Sequence, residues 1–249
     1  MAIFGLTHRF GVGKYCPLLI KLDKGGNIVL SNSYSRGTGF EALCIAANGF
    51  SGFYFSGVEN GNAVICKVDS IGKLIWSKKI NTKTGYIRPK MIIPESSKEF
   101  WAVYDYTDIN VLYGAMICKF DSAGNVLLKL LIKPSQYLKN IDLNGAVSYN
   151  QKIIVCGSTS AFGNYQNLMF SMDKTGNIDW VKTYDYKDSA SGLYNPILAS
   201  DGNVSIVGYS NQNASISAGT LLKIDPQGNI KWAKRYKDSS SVRFTSHVQ

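Results

Sequence analysis

The sequence predicts an all-β chain: a single five-bladed β-propeller spanning residues 1–249, with four-stranded blades. Three observations predict it. One phrase recurs five times, residues inside each copy alternate with period two, and the two chain ends together match one further interval.

The copies read KLDKGGNIVLSNSY from Lys21, KVDSIGKLIWSKKI from Lys67, KFDSAGNVLLKLLI from Lys119, SMDKTGNIDWVKTYD from Ser171 and KIDPQGNIKWAKRYK from Lys223. Their aspartates, Asp23, Asp69, Asp121, Asp173 and Asp225, stand 46, 52, 52 and 52 residues apart. That period suits a four-stranded blade and is too long for a leucine-rich or ankyrin repeat. With flanking strands, the repeats fall at about 15–34, 62–80, 114–132, 166–184 and 218–236.

Inside the phrase, Asp opens a turn by accepting backbone hydrogen bonds. The glycine three residues on (Gly26, Gly72, Gly124, Gly176, Gly228) supplies the positive φ that closes a hairpin. Apolar residues alternate on both sides: Ile20, Cys66, Cys118, Phe170 and Leu222 before the turn, then Ile28, Leu74, Val126, Ile178 and Ile230 after it. Two residues further come Leu30, Trp76, Leu128, Trp180 and Trp232. Period two with β-branched and aromatic residues means strands.

Two more strands separate successive phrases, as in GLYNPILAS, the turn DG, and NVSIVGYS of the fourth interval. After the last phrase only SVRFTSHVQ remains, matching the first interval strand, while AIFGLTHR at the other end matches the second. The closing blade is therefore expected to take three strands from the N-terminal segment and one from Val242–Val248. Sharing a blade in this way removes vulnerable sheet edges.

The phrase D-x-x-G-N-[IV]-x-W-x-K-x-Y resembles bacterial β-propeller repeats, distant relatives of the quinoprotein-type propellers. The resemblance covers nearly the whole chain and implies blade architecture. Quinoprotein blades carry A-x-D-x-x-T-G-x-x-x-W, one residue longer between Asp and Gly. None of that family's cofactor-holding residues can be carried over, and no cofactor is expected.

Composition narrows the function. No apolar run reaches the ~18 residues of a membrane span. The N-terminus has no basic segment followed by an apolar stretch, so no signal peptide is expected and a cytoplasmic or virion setting fits. Cys16, Cys44, Cys66, Cys118 and Cys156 have no C-x-x-C spacing and read as small apolar residues of a reduced protein. The net charge of +10 is spread through every repeat without a run, which speaks for solubility rather than nucleic-acid binding.

Candidate chemistry is sparse. The turn aspartates lack the further carboxylates of a calcium cage. GVGKY at Gly11–Tyr15 lacks the phosphate-loop pattern, and His8 and His247 make no metal set. The recurring tryptophans read as packing between blades. Aligning the first strand of each blade places Glu41, Arg88, Asp142, Tyr194 and Arg243 at one channel mouth, with Asn144 and Asn195 adjacent. Five-bladed glycosidases place three carboxylates there, and this chain offers Glu41 and Asp142 against two arginines.

The expected function is a non-enzymatic binding or structural module that docks protein or a surface glycan through its faces and the loops NTKTGYIRPK, LIKPSQYLKN and STSAFGNYQN. A bacteriophage virion component (decoration, tail or receptor-contacting), with homo-oligomer or particle association, is one form of it. The alternatives are a lectin and a glycosidase using Glu41 and Asp142.

Overall fold

A computed structural model of the chain describes residues 2–8, 15–34, 40–49, 51–81, 85–107, 113–133, 139–161, 164–184, 190–213 and 216–246. Parts of the three loops named above, most of GVGKY, and His247 lie outside them. No helix among the described residues is long and apolar enough to cross a membrane.

Among the described residues, nineteen strands form five antiparallel sheets. Sheet 1 holds β1 (Ala2–His8), β2 (Tyr15–Leu22) and β3 (Ile28–Ser33). Sheet 2 holds β4 (Phe40–Ala47), β5 (Phe53–Glu59), β6 (Asn62–Val68) and β7 (Leu74–Ile80). Sheet 3 holds β8 (Tyr86–Pro94), β9 (Glu99–Thr107), β10 (Tyr113–Asp121) and β11 (Val126–Ile132). Sheet 4 holds β12 (Lys139–Tyr149), β13 (Lys152–Ala161), β14 (Asn164–Asp173) and β15 (Ile178–Tyr184). Sheet 5 holds β16 (Ala190–Leu198), β17 (Val204–Asn213), β18 (Ile216–Ile224) and β19 (Ile230–Tyr236). Each sheet is a meander in chain order, the local-pairing solution that short turns allow.

The five phrases are the five outer hairpins. In each, the Asp Oδ1 accepts the N–H groups two and four residues on at 2.8–3.0 Å, as Asp173 does from Thr175 and Asn177. The glycines lie at φ +73 to +92°, and each N–H returns to its Asp carbonyl. This is the geometry Asp and Gly are there to supply.

The chain divides into two compact units: Met1–Asn110 with Met116–Lys129, and Val111–Ala115 with Leu130–Gln249. The first has a core of Leu19, Phe40, Phe55, Val64, Cys66 and Val68, joined by Phe4, Leu30 and Tyr34. Further along it, Tyr54, Phe100 and Phe120 stack with ring centroids 4.1 and 5.1 Å apart. The second is built on Ile154, Cys156, Met169, Leu193, Val204, Ile206, Leu222 and Ile224. None of the five cysteines forms a disulfide, and four of them are buried.

Sheets are joined within each unit by one device. Trp76 on β7 donates its indole N–H to the Ser122 carbonyl at 3.1 Å, and its ring covers Gly124, where a Cβ would lie 2.9 Å away. Trp180 on β15 does the same to Pro226 at 3.0 Å and covers Gly228. Lys78 and Lys182 bond Asn125 and Asn229 of the same two turns. Tyr184 donates to the Gly228 carbonyl at 2.7 Å, and in sheet 1 Tyr34 donates to Gly72 at 2.7 Å. The outer strand of one sheet thus clamps the Asp–Gly turn of the next.

The closing blade is seen in part. Its three N-terminal strands form, but described residues 237–246 carry no strand and sheet 1 has three strands. The tail bonds sheet 5: the Val242 N–H donates to the Ser217 carbonyl at 2.8 Å and the Phe244 N–H to the Gly208 carbonyl at 3.3 Å. The missing side chain of Gly219 leaves room there for the Phe244 ring, which also meets Tyr236 edge-on.

Candidate functional site

The five residues aligned from the sequence fall into two groups, one in each unit. In the first unit, Arg88 on β8 donates to Glu41 on β4 at 3.0 Å. Both side chains are half exposed, so the pair adds at most about 1 kcal/mol. Beside it, Lys90 bonds Asp105 at 3.2 Å, and Asp105 sits opposite Arg88 in the ladder. The Glu41 carboxylate is therefore held by a cation rather than presented alone.

In the second unit, Tyr194 and Arg243 meet around Tyr209, which the sequence reading missed, and the Asp142 carboxylate acts on the Tyr194 phenol electrostatically. The ladders show how. Glu41, Asp142 and Gly192 each precede the residue paired with Gly57, Gly157 or Gly208. Gly192, not Tyr194, thus holds the Glu41 position in sheet 5. Tyr194 reaches the place nonetheless, because its ring folds over Gly192, where a Cβ would lie 3.1 Å from the Tyr194 hydroxyl.

The Tyr194 and Tyr209 rings stack with centroids 6.1 Å apart and planes at 22°. The Arg243 guanidinium lies 4.5 Å from the Tyr209 ring centroid, within cation–π range. Its Nε donates to Ser217 Oγ at 3.3 Å, and that hydroxyl donates to Asn211 Oδ1 at 2.6 Å. Burial pushes the Tyr194 phenol up to about 12, with Tyr209 and the Asp142 carboxylate adding to the shift and Arg243 opposing it. Tyr194 is accordingly a neutral hydroxyl, able to donate and accept.

A polar row leads inward from Asp142. Across sheet 4, Asp142 pairs with Ser158, Ser158 with Asn167, and Asn167 with Tyr184. Asn167 is fully buried, and neither amide atom has a hydrogen-bond partner among the described residues. One sequence signal could have found Tyr209. The position after the second-strand glycine is Leu6, Val58 and Ser158 elsewhere, and only there does an aromatic replace them.

No protein-family model matches the sequence, and no curated protein matches it. Solved structures do match, through the fold. An ulvan lyase, a polysaccharide lyase bound to GlcA(1-4)Rha3S units, is 11% identical with a TM-score of 0.59, over 97% of this chain and 64% of its own. A neuraminidase-like protein (A/little yellow-shouldered bat) is 11% identical with a TM-score of 0.56, over 96% and 78%. The lignostilbene dioxygenase of Pseudomonas brassicacearum is 11% identical with a TM-score of 0.56, over 98% and 62%. The chain spans as little as 52% of the structures it matches.

These likenesses establish an all-β, propeller-like fold. They also correct the expectation of a chain without catalysis, because structures sharing this fold include a lyase and a dioxygenase. The architecture does not separate this chain from enzymes.

Proposed function

We propose that the protein is a glycan-binding module whose site is the cluster of Tyr194, Tyr209, Asp142 and Arg243. The observation that carries this reading is the stacked tyrosine pair bordered by the Arg243 guanidinium. Aromatic faces offer area at low entropic cost, and a few polar groups then fix orientation. Arg243 matches the planar, bidentate geometry of a carboxylate or sulfate, which points to acidic glycans. The net charge of +10 favours their approach.

Calorimetric titration with uronate-containing and sulfated oligosaccharides tests the reading. Tyr209→Ala and Arg243→Ala should each weaken binding about tenfold or more, the scale of a lost stacking or charge-assisted contact. Glu41→Gln, outside the cluster, should leave it unchanged. Equal affinity in all the variants, or no binding by the parent chain, would refute the assignment. Docking of protein is a second reading, favoured by exposed apolar residues on the outer strands, including Ile28, Val29 and Ile75.

A further inference from the structure

One residue of β18 grips the tail three times, and the whole arrangement lies within the second unit. The Ser217 N–H donates to Ser241 Oγ at 3.1 Å, and the Ser217 carbonyl accepts the Val242 N–H at 2.8 Å. Its Oγ accepts the Arg243 Nε–H at 3.3 Å. That hydroxyl donates its own proton to Asn211 Oδ1 at 2.6 Å, which leaves its lone pairs for the guanidinium. Ser217 is buried, so these contacts are anchored in the sheet itself.

Two residues on, Gly219 takes the next tail side chain. A Cβ there would lie 2.7 Å from the Phe244 ring, and the Phe244 N–H donates to the Gly208 carbonyl at 3.3 Å. The rung that meets the tail pairs Tyr209 with Gly219. In sheets 1, 2 and 4 the same rung pairs Leu6 with Pro17, Val58 with Ala63 and Ser158 with Asn167. Sheet 5 thus departs from them at both members. It places a ring where Arg243 stacks and no side chain where Phe244 packs.

We propose that Ser217 and Phe244 are positioning residues of the acidic-glycan site: they hold the Arg243 guanidinium over Tyr209 with its Nε–H engaged, so that a carboxylate or sulfate is met end-on by Nη1 and Nη2. This rests on the reading of the tyrosine cluster as a glycan site. A guanidinium held through Nε keeps one bidentate edge, the pair of terminal nitrogens. That edge matches two oxygens of a single carboxylate or sulfate. A neutral sugar needs only the tyrosine faces. Ser217 and Phe244 therefore govern the preference for acidic over neutral glycan rather than binding as such.

Two measurements on the full chain test this. In calorimetric titration, Ser217→Ala deletes the hydroxyl and keeps both backbone bonds. It should weaken a uronate-containing oligosaccharide about fivefold, the scale of one hydrogen bond, and leave a neutral one of equal length unchanged. Phe244→Ala should weaken the acidic ligand about tenfold, and adding it to Arg243→Ala should bring no further loss. In NMR without ligand, the Arg243 Nε–H should resonate away from the position of a free arginine and return to it in both variants. A resonance unmoved in both variants, or acidic and neutral ligands weakened alike, would overturn the proposal. A parent chain that binds neither ligand, while the resonance moves in both variants, would refute the glycan reading and leave the seating of Arg243 standing.

Discussion

Strands β15 and β19 carry nearly one sequence, IDWVKTY and IKWAKRY, and meet opposite fates. In β15, Trp180 is half-buried and Tyr184 is sealed, both bonded to carbonyls of the 225–229 turn. In β19 the matching Trp232 and Tyr236 are exposed. The local structure is the same strand with the same lysine over the same indole. What sets β15 apart is the 225–229 turn of its own unit, which takes bonds from Trp180 and Tyr184. Burial of the motif is thus a property of the joint and not of the strand, and the stabilising energy belongs to the pair of sheets.

The largest expected effect breaks the joint in one strand and finds nothing to break in the other. Trp180→Ala should lower unfolding free energy by about 2–3 kcal/mol, towards the low end for a large aromatic because Trp180 is only half-buried. Trp232→Ala, measured in dilute protein, should cost less than about 0.5 kcal/mol, as for an ordinary surface change. Urea unfolding of the two variants gives the comparison. Equal losses would mean that the turn contact contributes little.

A finer cut removes one hydroxyl. Tyr184→Phe leaves the Gly228 carbonyl without its donor and should cost about 1 kcal/mol, whereas Tyr236→Phe should cost close to nothing. Thermal melts of the pair would resolve this difference.

The smallest effect is common to the Asp–Gly turns. The Asp173 carboxyl is lowered to about 2, first by the Thr175 hydroxyl and then by the bonds from Asn177 and the Thr175 backbone. Asn27 likewise lowers Asp23. A carboxyl depressed in the folded state contributes stability that is fully present above its unfolded value of about 4. That contribution is lost as pH falls through about 2. Asp173→Asn should therefore flatten the fall in melting temperature between pH 4 and 2. An unchanged slope would show that the turn carboxylates do not govern acid stability.

The hairpins were legible because Asp, Gly and period-two alternation act locally, within a dozen residues. The role of Trp76 and Trp180 in joining sheets was legible for a related reason: one position recurring in every repeat has to serve the contact that recurs. The tail was not legible. Its pattern fits a strand, but Gly219 opens a slot for Phe244 that no repeat position foretells. Aligning Tyr194 with Glu41 failed because β16 is irregular between Tyr194 and Ile197, and Gly192 lets a ring from two residues away occupy its place. Buried Lys119, held by Glu95 and Glu99 at 2.9 and 2.8 Å, was hidden because its partners stand on neighbouring positions of sheet 3 that the repeats do not share.

Hydrogen exchange at the tryptophan indole N–H groups, followed by NMR in dilute protein, reads the joint itself. Trp76 and Trp180, bonded to turn carbonyls at 3.1 and 3.0 Å, should exchange slowly. Exchange of both at the rate of a free indole would contradict the clamp described here.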